Sequence, residues 1–138
     1  MNHYELENIE NNLRTAKTIA VLGFSKNPYK TSREIASFLK NKGFQVIGIN
    51  PTIYDDEIDG IKIYKSLRDF KEEIDIINVF RRSEDIPAII DDVIYSNPKI
   101  LWLQQGIRND SAVQIVKSKG IIVYQDMCIA VYCSLCRI

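Results

Sequence analysis

The chain has 138 residues, of which 46% are apolar and 26% charged, and 18 basic side chains balance 18 acidic ones. That length suits one domain with one core, numbered here 1–138, and the zero net charge offers no field for nucleic acid or an acidic membrane surface. The apolar runs are of strand length, far short of the roughly 18 residues that cross a bilayer, and the first twenty residues carry Glu5, Glu7 and Glu10 rather than an apolar leader. A cytoplasmic protein is therefore expected.

Residues 1–16 read as a lead-in helix, Tyr4–Thr15, with Leu6, Ile9 and Leu13 on its inner face. The first strand follows over 18–23 and runs into Gly23-Phe24-Ser25-Lys26-Asn27-Pro28-Tyr29-Lys30-Thr31-Ser32. A strand, a glycine turn and a helix opening on Ser or Thr form the place where a nucleotide phosphate sits, because free helix amides attract an anion. The second and third glycines of a dinucleotide fingerprint are missing. Lys26, Lys30 and Arg33 bring charge to the same stretch, and Ser32 equally suits an ordinary helix cap.

The helix Ser32–Lys42 stops at Gly43, and a second strand over 45–50 ends at Asn50-Pro51. A nicotinamide-binding domain places Asp or Glu near this point to hold ribose hydroxyls. Asn50 there, with the incomplete glycine set, weighs against NAD. Residues 51–74 interrupt the repeat with turn residues, a small strand candidate at 61–63 and a short helix over 66–70.

A third strand over 75–80 ends in Val79-Phe80-Arg81-Arg82, and one of the two arginines is expected to face a ligand. The helix Glu84–Ser96 ends before Asn97-Pro98. A fourth strand over 100–104 carries Trp102 as a core residue and leads to Gln104 and Gly106, which are placed to line a pocket. Asn109 caps a helix that stops at Gly120, and a fifth strand over 121–124 leads to Asp126 and Cys128. Residues 129–138 read as a C-terminal tail.

Five short β-branched runs alternating with helices predict an α/β fold of the Rossmann-like, doubly wound kind. Its five-stranded, mainly parallel sheet has helices on both faces. Order 3-2-1-4-5 puts the crevice at the carboxyl ends of the first and fourth strands. No Ser/His/Asp set or paired carboxylates are visible, and the single histidine is His3, so general acid–base catalysis has few candidates. Cys128, Cys133 and Cys136 lack the fourth ligand of an iron–sulfur pattern, and no metal site is expected.

Taken together, Gly-x-Ser-x-x-Pro-x-Lys-x-Ser from 23, Ile-Asn-Pro from 49, Asp-x-x-x-Val-Phe-Arg-Arg from 75, Trp-x-Gln-x-Gly from 102 and Asp-x-Cys from 126 form an ordered set. Over residues 12–130 the chain resembles the small single-domain CoA-binding proteins. These are similar in fold to the CoA-binding domain of the succinyl-CoA synthetase α subunit. The resemblance implies coenzyme A or an acyl-CoA as ligand. Gly23, Phe24, Ser25, Lys26, Asn27 and Pro28 would wrap its phosphates, with Lys30 and Ser32 beside them. Asn50, Pro51, Val79, Phe80 and Arg81 would touch the nucleotide or pantetheine part.

The synthetase's phosphohistidine belongs to another domain, so ligase chemistry is not carried over. The expected protein is a CoA-binding module without autonomous catalysis, alone, as a homo-oligomer or with a partner enzyme. The alternatives are an NAD(P)-dependent oxidoreductase or its fragment, and a CoA-site subunit of a larger acyl-CoA enzyme. Thr52 stands where related chains often carry a basic residue, and Tyr132–Ile138 replaces their usual acidic-His-x-Arg-Leu ending. Cys128 matches those chains. Its thiol is either a partner for the pantetheine thiol in disulfide exchange or a small buried side chain.

Overall fold

The computed structural model describes residues 1–138. Strands β1 (Thr18–Leu22), β2 (Gln45–Ile49), β3 (Glu57–Ile58), β4 (Ile61–Tyr64), β5 (Ile76–Val79), β6 (Ile100–Leu103) and β7 (Ile122–Tyr124) form one sheet. Its order is β3-β4-β2-β1-β5-β6-β7, parallel throughout except for the β3–β4 hairpin. Helices α1 (His3–Thr15), α2 (Thr31–Asn41) and α5 (Ile129–Leu135) cover one face. Helices α3 (Ile90–Ser96) and α4 (Asp110–Ser118) cover the other, with short 3-10 turns at Leu67–Asp69 and Ser83–Ile89.

Burial on both faces explains the unbroken apolar runs. Along β1, Ile19 and Val21 point to the α2 side while Ala20 and Leu22 point to the α3 side, and all four are buried. Trp102 is fully enclosed, donates from Nε1 to the Met127 carbonyl at 2.8 Å, and meets Tyr124 and Tyr132 edge-on.

The α/β class is as expected, but the sheet has seven strands rather than five. The interrupted stretch supplies the difference. Ile61 is buried and β4 pairs in parallel with β2, while Asp59 and Gly60, both at positive φ, turn the hairpin back to β3. β4 therefore takes the outer place expected for strand 75–80, and that strand, β5, lies directly against β1. The strand order reverses between β1 and β5, not between the first strand and the one at 100–104.

Two further segments differ from expectation. Pro87 lacks an amide hydrogen, so the first half of the 84–96 helix is a 3-10 segment and the α-helix begins at Ile90. The segment after Cys128 is helical, and Ile129, Cys133 and Cys136 are buried. All three cysteines are free. Desolvation pushes the Cys133 thiol up to about 11, with Cys136 adding to the rise, so it is a neutral packing group at pH 7.

Candidate functional site

Sheet register assembles the site. Leu22 pairs with Ile49 and Val79, and Val79 with Leu103. The next residues, Gly23, Asn50, Phe80 and Gln104, therefore stand in one row beyond the carboxyl ends of β1, β2, β5 and β6. This row borders the place where the strand order reverses, where ligands sit in open α/β sheets.

Gly23 has φ +94° and donates its amide to the Ile49 carbonyl. A Cβ built on it would overlap the Phe80 carbonyl oxygen, so no other residue fits without a shift. Phe24 then turns inward and is fully buried under the Arg33 guanidinium, 5.3 Å from its ring centre. Its ring lies where Gly48 leaves room, since a Cβ there would come within 2.8 Å of it. Phe24 can thus offer a ligand only its main chain. Asn50 fixes that main chain by donating Nδ2 to the Phe24 carbonyl at 2.7 Å and accepting at Oδ1 from Thr52.

Beyond Phe24 the loop is tied by its own side chains. Ser25 Oγ accepts from the Asn27 amide at 3.1 Å, and Asn27 Oδ1 from the Tyr29 amide at 3.0 Å. Lys30 occupies the cap position of α2 without a capping side-chain hydrogen bond. Ser32, a candidate for that role, lies inside the first turn and accepts the Ser25 amide at 3.0 Å. The amides of Thr31 and Ser32 make no hydrogen bond within the protein, as a helix start without a cap requires.

Arg33, counted in the sequence with Lys26 and Lys30 as charge beside the phosphate position, instead organises the loop. It is buried, donates from Nη1 to the Lys26 carbonyl at 2.8 Å, and pairs through Nη2 with Asp59 on the β3–β4 turn. By holding that carbonyl it ties the loop to α2 and to the inserted hairpin. No local signal marks it, because its partner is a turn whose place depends on the whole sheet.

Charge is distributed unevenly around the row. Lys26 pairs with Asp55 at 3.1 Å, whereas Lys30 is exposed and forms no ion pair. Arg82 pairs with Glu84 and Asp85, while Arg81 makes neither ion pair nor side-chain hydrogen bond, and its Nε is buried without a partner. One hollow of about 420 Å³ is lined by Gly23, Ser25, Lys30, Thr31, Ser32, Asn50 and Phe80. A second, of about 580 Å³, extends from Thr31 and Phe80 across Arg81 and Arg82 to Gln104, Gln105 and Gly106. Thr31 and Phe80 border both, so the two are lobes of one crevice.

Of the other expected residues, Gln104 and Gly106 line the second lobe, while Phe24, Lys26, Asn27, Pro28, Pro51 and Val79 line neither. Asn27 and Pro28 form the exposed outer turn, Pro51 is exposed behind Asn50, and Val79 is fully buried in β5. Gln104 borders the second lobe, but its Oε1 accepts from Asn78 Nδ2 and the Ile129 amide, each at 3.3 Å. Gly106, at φ +87°, donates its amide to the Asp126 carboxylate at 2.6 Å. Cys128 is half-buried at the cap of α5 and lines neither lobe.

A crevice at the strand-order reversal of a Rossmann-like sheet defines the class. A family model described as "CoA binding domain" matches residues 17–134, and the chain belongs to that family. It is 40% identical over 119 residues to the uncharacterized protein YneT of Bacillus subtilis, covering 86% of this chain and 87% of that one. It is similar in structure to a Thermus thermophilus protein solved as cell-free ID.343, with a TM-score of 0.88, 34% identity and 99% of each chain covered. It is also 33% identical over 76 residues to an ADP-forming acetate–CoA ligase of Methanocaldococcus jannaschii. That match takes in 55% of this chain and a tenth (10%) of the ligase.

Proposed function

We propose that this protein binds coenzyme A or an acyl-CoA in the carboxyl-end crevice, with the Gly23–Ser32 loop and the start of α2 receiving phosphate. The observation that carries the reading is the uncapped α2 terminus. Two free amides and the unpaired Lys30 border the same lobe, beside a glycine that lets the chain pass under Phe80. Helix amides favour negative charge, and a lysine ammonium adds a point charge that needs no fixed geometry. Coenzyme A, when bound, supplies a thiol that carries acyl groups as thioesters.

The protein's own residues position rather than react. Arg33 and Asn50 hold the loop carbonyls of Lys26 and Phe24, and Ser32 holds the Ser25 amide. The crevice has no histidine and no uncommitted carboxylate, because its one carboxylate, Glu84, faces Arg82. That supports a binding module with no reaction of its own. A nicotinamide cofactor is disfavoured because Asn50, at the ribose position, spends its amide on Phe24 and Thr52.

A second reading is that the module lends its site to a separate acyl-CoA enzyme. The similarity to a small part of a much longer acetate–CoA ligase favours it. Calorimetric titration with CoA, 3′-dephospho-CoA, NADH and NADPH tests the first reading. Saturable heat with CoA and none with NADH is expected, and the reverse overturns it. Co-purification of an acyl-CoA enzyme with the tagged protein tests the second.

A further inference from the structure

The second lobe holds a positive charge that the phosphate-receiving start of α2 does not use. Of its two arginines, Arg82 is committed to Glu84 at 3.5 Å and Asp85 at 3.2 Å. Glu84 is the one carboxylate bordering the lobe, and it is taken up by Arg82. Arg81 is half-buried, forms no ion pair, and has its Nε out of solvent without a partner. A guanidinium keeps its charge and offers planar, paired donors suited to carboxylate or phosphate. Around it stand neutral polar groups, Thr31, Ser83, Gln104 and Gln105, and no second uncommitted cation.

We propose that Arg81 is a second anion-recognition point of the crevice, separate from Lys30 and the α2 amides, and that it takes one terminal anionic group of the bound CoA ligand. The inference rests on the CoA reading above. Two groups of a CoA ester have this chemistry, the 3′-phosphate of the nucleotide and a free carboxylate at the end of the acyl chain. Thr31 and Phe80 border both lobes, so the two are continuous and can receive one extended ligand.

The test is calorimetry on the full chain with two matched pairs, CoA against 3′-dephospho-CoA and glutaryl-CoA against hexanoyl-CoA. Wild type and Arg81→Gln are compared after circular dichroism shows the same folded content. Wild type should prefer the more anionic member of one pair by about tenfold, the scale of one charged hydrogen-bonded contact. Arg81→Gln should bring that ratio close to one and leave the other pair's ratio in place. A lost CoA preference assigns the 3′-phosphate, and a lost glutaryl preference assigns the acyl carboxylate. If Arg81→Gln does not fold, Arg81→Lys decides, because a point charge in place of the planar fork should cut the ratio by about threefold or more. Ratios that do not respond to Arg81, or are absent in wild type, overturn the proposal. A wild-type protein that binds none of the four compounds overturns the CoA reading itself.

Discussion

At the amino end of the sheet, the Asp75 carboxylate accepts the Lys17 and Thr18 amides at 2.8 and 2.9 Å, and its main-chain carbonyl accepts from Lys99 and Ile100. One residue thus clips the starts of β1, β5 and β6. At the carboxyl end, the same strands run out into a glycine at positive φ, an uncapped helix and two cations without partners, Lys30 and Arg81. Asp75 is paired on both its carboxylate and its carbonyl at one end, whereas the Thr31 and Ser32 amides and the Lys30 and Arg81 side chains lack partners at the other. The contrast separates what holds the fold from what is available to a ligand.

Substitutions at the two ends should therefore fail in different ways. The largest effect is expected for Gly23→Ala. It forces an L side chain to φ +94° against the Phe80 carbonyl, which costs about 2 kcal/mol or more and displaces the loop. A thermal melt should show the lost stability, and titration should show CoA binding lost with it.

Asp75→Asn comes next and should act on stability alone. Burial raises the Asp75 pKa, but the amides of Thr18 and Lys17 and the charge of Lys99 outweigh that effect, and the net value is lowered. A lowered folded-state pKa means a contribution that is present above the unfolded value of about 4 and lost as the pH falls through the folded one. Denaturant melts should show wild type weakening below about pH 4, while the variant loses about 1–3 kcal/mol at pH 7 and shows a flatter acid limb. Its CoA affinity should match wild type.

Lys30→Ala inverts that pattern. CoA affinity should fall about tenfold by calorimetry, while melts stay within about 0.5 kcal/mol of wild type, since the side chain is exposed and makes no cap hydrogen bond or ion pair. The smallest effect is expected for Lys26→Ala. Its ammonium is already paired with Asp55, and an exposed pair is worth about 0–1 kcal/mol. A loss of CoA affinity below about threefold is expected there. A larger loss than at Lys30 would reverse the ranking of the two lysines.

The carboxyl-end row was legible in the sequence because each of its members follows an apolar run that only a doubly buried strand explains. Gly23, Asn50, Phe80 and Gln104 could be named without knowing the strand order. The order itself was not legible. The strand candidate at 61–63 is β4, but two and four residues in β3 and β4 are too few to place them in the sheet, and their pairing is fixed by the Asp59–Gly60 turn and by burial of Ile61 against distant partners. The structural roles of Arg33 and Asp75 were not legible for a related reason. A buried charge looks like a surface charge until its partners, a turn 26 residues away and amides 57 and 58 residues away, are in place. Ser32 shows the limit of local rules: its type suits a cap, yet from inside the first turn of α2 its hydroxyl oxygen accepts the Ser25 amide instead.

CoA held at the carboxyl end of the sheet should perturb that end and leave the amino end alone. Amide chemical-shift mapping of the labelled protein during CoA titration tests it directly. Shifts should gather at residues 23–32, Asn50, Phe80, Arg81 and Gln104–Gly106, with Lys17, Thr18 and Asp75 unmoved. A separate hollow of about 500 Å³, lined by Lys40, Phe44, Lys62, Tyr64 and Phe70 among others, provides the contrasting outcome. Shifts gathered there, or none at saturating CoA, would mean that the carboxyl-end crevice is not the CoA site.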